Sequence, residues 1–214
     1  MPLYAPTNGG FDRQLPEAGM HPARCVVVLD LGTHTDKKYL NDKGKHPRRH
    51  LIQIQWEIPG SLMTYEGQER PMMATKRYTL SSNEKATLRK DLESWYAKKF
   101  DNKEIEARGI DVEKLLGRPA TLNIGHSEDG KYANVSSVNP PMKGVPISGQ
   151  VNPSRFFSLD EPSAKVWATL SQKTRDFIRE SEEVADGRVT LPNDPSDEDK
   201  APVPFVATDD SIPF

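Results

Sequence analysis

At 214 residues, with 35 % apolar side chains and 18 prolines, the chain can bury one core and carry polar appendages, which excludes wholesale disorder. A net charge of −2 excludes a uniformly basic nucleic-acid binder, yet it conceals two opposed segments. Residues 37–49 hold six bases and one acid, whereas residues 184–214 hold seven acids and two bases. Cys25 has no cysteine partner, so an inert buried thiol is expected. No apolar stretch long enough to span a bilayer and no secretion signal stand out, so a soluble, cytoplasmic protein is expected.

Residues 1–20 are rich in Gly and Pro and read as an arm, some of whose apolar side chains (Leu3, Tyr4, Phe11, Leu15) pack on the domain. Residues 24–31 form a β-branched apolar run closed by Gly32, the first strand. A charged, turn-rich stretch follows to His50, with Asn41, Asp42, Lys43 and Gly44 at its tip. Residues 50–58 then alternate, with Ile52, Ile54, Trp56 and Ile58 on one face and Gln53, Gln55 and Glu57 on the other. That period of two predicts a half-buried strand, ended by Pro59-Gly60. Residues 70–80 make a third strand.

Ser81 and Glu84 have capping-box spacing, and Leu88, Leu92, Trp95 and Tyr96 form one stripe of a helix to about Lys98. A helical turn fits residues 111–116, and strands fit 120–125 and 132–138 around the turn Ser127-Glu128-Asp129-Gly130. Residues 141–183 read as a Pro/Gly linker and one or two helices with a cap at Ser171. Residues 184–214 are expected to be a disordered acidic tail.

Strand, strand, strand, helix, strand, strand is the order of an OB-fold, a five-stranded, partly open Greek-key barrel. The predicted class is therefore mainly β, with that barrel over residues 21–140 and helices appended. In such a barrel the loops after strands 1 and 4 flank the binding face, and here the first is the basic segment. Lys37, Lys38, Lys43, Lys45, Arg48 and Arg49, with Arg70, Lys76, Arg77 and Lys131 nearby, are the expected phosphate contacts. Tyr39, Tyr78 and Tyr132 are the expected base-stacking residues, while Trp56 and Trp95 belong to the core. The five histidines share no helix face and no cysteine, and the acids sit in helices and the tail. No enzyme, metal or cofactor is expected.

The segment Asp209-Asp210-Ser211-Ile212-Pro213-Phe214 resembles the acidic tip of bacterial-type single-stranded DNA-binding proteins, which recruits replication and repair proteins and competes with DNA. It differs in having two consecutive acids and a Ser where three acids are common. Residues 10–159 are similar to a phage-encoded family of single-stranded DNA-binding proteins. The shared marks are His21-Pro-Ala-Arg-Cys-Val, Asp30-Leu-Gly-Thr, Arg77-Tyr-Thr-Leu-Ser, Lys90-Asp-Leu-Glu, Leu115-Leu-Gly-Arg-Pro, Tyr132-Ala-Asn-Val, Asn152-Pro and Phe156-Phe157.

These resemblances imply a sequence-independent coat for single-stranded DNA in phage replication, recombination or repair. Asp209, Asp210, Ile212, Pro213 and Phe214 would recruit protein partners. A homo-oligomer is compatible with this reading. The alternative expectation is an OB-fold adaptor that binds replication proteins without strong DNA binding.

Overall fold

The computed structural model describes residues 14–41, 43–65 and 67–195. The elements are β1 (Gly19–Thr35), β2 (Arg48–Tyr65), β3 (Gln68–Thr79), α1 (Thr87–Trp95), α2 (Asn102–Arg108), a 3-10 turn (Glu113–Leu115), β4 (Pro119–His126) and β5 (Ala133–Asn139). A C-terminal layer follows: β6 (Arg155–Phe157), α3 (Ala164–Ala168), α4 (Gln172–Arg179) and α5 (Glu182–Ala185). The sheet runs β3-β2-β1-β4-β5 with antiparallel neighbours, and β6 lies parallel to β1. The chain is mainly β, with short helices at the sheet's surfaces.

β1 is the hub. Residues 19–24 pair with β4, residues 24–35 pair with β2, and Val27–Leu29 also meet β6. Bulges between Cys25 and Val27 and between Asp30 and Gly32 bend it between these partners. Its apolar run does not alternate because both faces are buried. Cys25 and Val28 join a first core with Ile52, Ile54, Trp56, Leu92 and Trp95, in which the two Trp rings lie 5.8 Å apart. Val27, Leu29 and Leu31 join a second core with Phe157, Leu159, Trp167 and Ile178 of the C-terminal layer.

Several expectations are corrected. β2 does not stop at Pro59-Gly60; residues 59–61 fall in a bulge between Ile58 and Leu62, where no ladder N–H is demanded of proline. The Ser81–Glu84 capping box is not formed: α1 begins at Thr87, Ser81 Oγ accepts from Asn83 N and Glu84 accepts from Asn102. The helix ends at Trp95, since Ala97 turns into the left-handed region at φ 50°. α2 and β6 were not expected; Asp101 starts α2 by accepting from the amides of Lys103 and Glu104. Ser171 does cap α4, by accepting from Thr174 N.

The arm gives way to β1 at Gly19, and residues 1–13 lie outside the described part. The acidic tail begins later than its composition implies. Val189 and Leu191 pack on the second core, and Asp194 pairs with Arg175 and Arg179. Residues 196–214 lie outside the described part.

Gly32 marks where the layers meet most closely. Its φ is +79°, and a Cβ there would collide with Ser181 Cβ and sit 2.9 Å from Leu159 Cδ1. Gly32→Ala should therefore cost about 2–4 kcal/mol in urea unfolding, from backbone strain plus overpacking. Gly44 has φ +67° but open space around it, so Gly44→Ala should cost only about 1 kcal/mol.

Candidate nucleic-acid interface

The loop between β1 and β2 carries its cations on a braced frame. Asp36 N donates to Pro47 O at 2.9 Å, closing the neck. Asn41 Oδ1 accepts from the amides of Lys43 and Lys45, each at 3.0 Å. His46 Nδ1 donates to the carbonyls of Asp36 and Tyr39 at 3.0 and 2.9 Å. On this frame Lys37, Lys38, Lys43 and Lys45 are exposed, and their ammonium groups meet no carboxylate among the described residues. Tyr39 and Leu40 are 52 % and 55 % exposed. The Arg49 guanidinium lies 5.8 Å from the Tyr39 ring and pairs with Asp36 at 3.4 Å. Asp42 lies outside the described residues.

The other expected contacts divide. Lys131 is exposed beside Asp129 in the β4–β5 turn, where Ser127 N donates to the carbonyl of half-buried Tyr132. Arg70 bonds Gln68 on β3. Arg48, by contrast, is held by Glu182 of α5. Lys76 pairs with Asp91 at 2.7 Å. Arg77 donates to Gln53 and stacks 4.7 Å from the Phe177 ring of α4, so it sits under the C-terminal layer. Tyr78 is the clear correction: it is 4 % exposed and its hydroxyl donates to Asp91, so it is a core residue and stacks no base. Asp209, Asp210, Ile212, Pro213 and Phe214 lie outside the described residues.

The polar face of β2, expected to meet solvent, is covered. Gln55 and Glu57 are 0 % exposed. Glu57 accepts from the amides of Val151 and Asn152 and from the Asn152 side chain, pinning the linker to the sheet. No periodicity could have revealed this, since the covering segment lies 94 residues away.

A polar latch joins α5 to the root of the cationic loop. Glu183 accepts from Thr33 N at 2.8 Å and Thr33 Oγ1 at 2.5 Å. His50 Nε2 donates to Asp30 at 2.7 Å, and its Nδ1 faces Glu183 at 3.8 Å. The hydrogen bond to Asp30 raises the His50 pKa above 6.5; burial opposes this, and the charges of Asp30, Glu183 and Asp160 add to it. Burial would raise Glu183, but the two Thr33 donors bring it below the usual carboxylate value.

Among the described residues no cluster of three or more His, Cys, Asp or Glu could hold a metal. No described helix is long and apolar enough to cross a membrane. Comparison with protein-family models, curated proteins and solved structures finds no match to this chain.

Because the folded His50 pKa is raised, its contribution is complete below about 6.5 and is lost as pH rises through the folded value. The melting temperature of the wild type should fall over that rise. His50→Gln should melt lower at acidic pH and show a flatter profile; an unchanged profile would remove His50 from the latch.

Proposed function

We propose that this protein binds single-stranded DNA without sequence preference through the loop after β1, in support of phage replication, recombination or repair. The observation that carries the reading is the set of four exposed lysines, unpaired among the described residues, around half-exposed Tyr39 on a hydrogen-bonded loop. Ammonium groups track a phosphate backbone, and a neighbouring ring offers a stacking platform that accepts any base. Lys131 and Tyr132 in the β4–β5 turn extend the surface in this reading.

An OB-type barrel is the finer fold we infer. It is supported by the order β3-β2-β1-β4-β5, by the helices between β3 and β4, and by the approach of β3 to β5, where Lys76 Nζ reaches Ser136 O at 3.5 Å. The acidic residues 197–210 compete with DNA for the cations, and residues 209–214 recruit partner proteins. A second reading, a protein-binding adaptor, draws on the covered sheet face, where Gln55 and Glu57 are buried and offer a nucleic acid nothing.

Anisotropy with a labelled oligo-dT tests the first reading. Binding should weaken with salt at a log–log slope of about −0.7 per phosphate contact, and the fourfold Lys→Ala loop variant should reduce that slope by up to about 3. Tyr39→Ala should cost about 1–3 kcal/mol, or nothing if no base stacks there. No binding to single strands at low salt would leave the adaptor.

Removing residues 196–214 should tighten DNA binding at low salt and leave the melting temperature unchanged. Removing everything after Glu183 should instead lower it, because Val184, Val189, Leu191 and Asp194 go too. Equal DNA affinity with and without residues 196–214 would end the competition idea.

A further inference from the structure

The polar residues of β2 that face the C-terminal layer are met by partners in turn, with one exception. Gln53 accepts from Arg77 Nε at 3.1 Å, and Glu57 accepts from the Val151 and Asn152 amides. Gln55, between them, is 0 % exposed, and neither its Oε1 nor its Nε2 has a hydrogen-bond partner in the protein. Turning the amide over changes nothing, since both of its ends are unmet. A buried amide in that condition is destabilising until something bonds it.

Strand register sets further unmet groups beside it. Gln55 pairs with Thr75 of β3 on one side and with Val27 of β1 on the other, and Val27 pairs with Arg155 of β6. Paired residues share a face, so these four form one row across the sheet. Their neighbours identify the face: Ile54, Trp56 and Ala74 lie in the first core, whereas Val27, Met73 and Phe157 lie in the second, beneath the C-terminal layer. Thr75 Oγ1 and Arg155 Nε are buried and unmet, like the Gln55 amide. At a strand spacing of about 4.8 Å, the Gln55 and Arg155 backbones are about 10 Å apart, with only the short Val27 side chain between them. Arg155 Nη1 donates to Thr169 O and Oγ1 at 3.3 and 3.2 Å. Trp167, two positions before Thr169, lies 5.6 Å from Phe157 and has a buried, unmet indole N–H of its own.

The chemistry of the row selects its occupant. Arg155 Nε and Trp167 Nε1 only donate, Gln55 Oε1 only accepts, and the Thr75 hydroxyl does either. An anion leaves Gln55 Oε1 unmet. A cation is repelled by Arg155, which meets no carboxylate among the described residues. Water both donates and accepts, and a buried water makes about three hydrogen bonds. We infer that this row is a buried hydration site, in which internal water bridges Gln55, Thr75 and Arg155 over Val27 and joins the C-terminal layer to the sheet. The site is independent of the DNA-binding reading, since none of its residues belongs to the loop.

Thermal melting of Gln55→Leu, which keeps the volume and removes both polar ends, tests it by sign. With water in place, the substitution takes away a partner and leaves the remaining groups poorly bonded, so the melting temperature should fall by about 2–6 °C. In a dry seam the same change removes two unmet groups and the melting temperature rises; a rise, or no change, would overturn the site. NOESY and ROESY spectra of the wild-type chain test it without a variant. The Trp167 indole proton and the Gln55 amide protons should show cross-peaks at the water frequency, opposite in sign between the two experiments. Missing peaks would overturn the site, as would peaks of the same sign, which report direct exchange with bulk solvent. Thr75→Val should keep the Gln55 peaks; their loss would assign them to the Thr75 hydroxyl proton and overturn the bridge. Replacing chloride by gluconate at constant ionic strength should leave the Trp167 indole signal in place, whereas a shift would make chloride the occupant.

Discussion

Everything in this fold depends on one strand being buried on both sides. β1 is the only strand among those described that contacts β2, β4 and β6 alike, and residues 25–31 present apolar side chains to two separate cores. Each buried Val or Leu contributes roughly 1.5–3 kcal/mol relative to exposure, so a run of this kind commits the chain to two covering layers. α1 and the remaining strands supply the inner layer. The C-terminal segment supplies the outer one, and it is therefore a structural layer of the same domain rather than an appendage.

That outer layer decides which cations remain for a ligand. To stay in place it recruits polar groups from the sheet: Arg48 for Glu182, Thr33 for Glu183, Arg77 for Phe177, and Glu57 for the linker amides. A cation already held by a carboxylate offers less to a phosphate, since the gain must first cover the broken pair. The interface we propose is therefore centred on the loop lysines and their tyrosine. Charge counted along the chain overstates what the folded surface presents.

Local periodicity made the inner layer legible. The alternation of Ile52, Ile54, Trp56 and Ile58 and the stripe Leu88, Leu92, Trp95 both identify core faces, and the Ser127–Gly130 turn lies where its residues put it. What failed was non-local or competitive. Ser81 had an equally good local acceptor role toward Asn83, and Glu84 was taken by Asn102, so the capping box lost to other partners. Tyr78 is buried in the first core and shares Asp91 of α1 with Lys76, a pairing across elements that spacing cannot encode. Val189 and Leu191 were hidden in an acidic, Pro-rich composition, yet two apolar side chains suffice to extend an existing core. The loop at 36–47 was legible as a basic loop; its rigidity, set by Asn41 and His46, was not.

The parallel pairing of β6 with β1 joins Val27 to Arg155. On a ribosome, the outer face of β1 is made long before anything exists to cover it. With synthesis at about 5–20 residues per second, roughly 8–30 s pass between β1 and Leu191. During that interval a Val-rich strand, bare first on both faces and then on its outer one, is available to any other strand edge. The nascent chain is thus most exposed to mispairing while it is incomplete, and its yield in a cell depends on how that bare face is shielded until the last layer arrives.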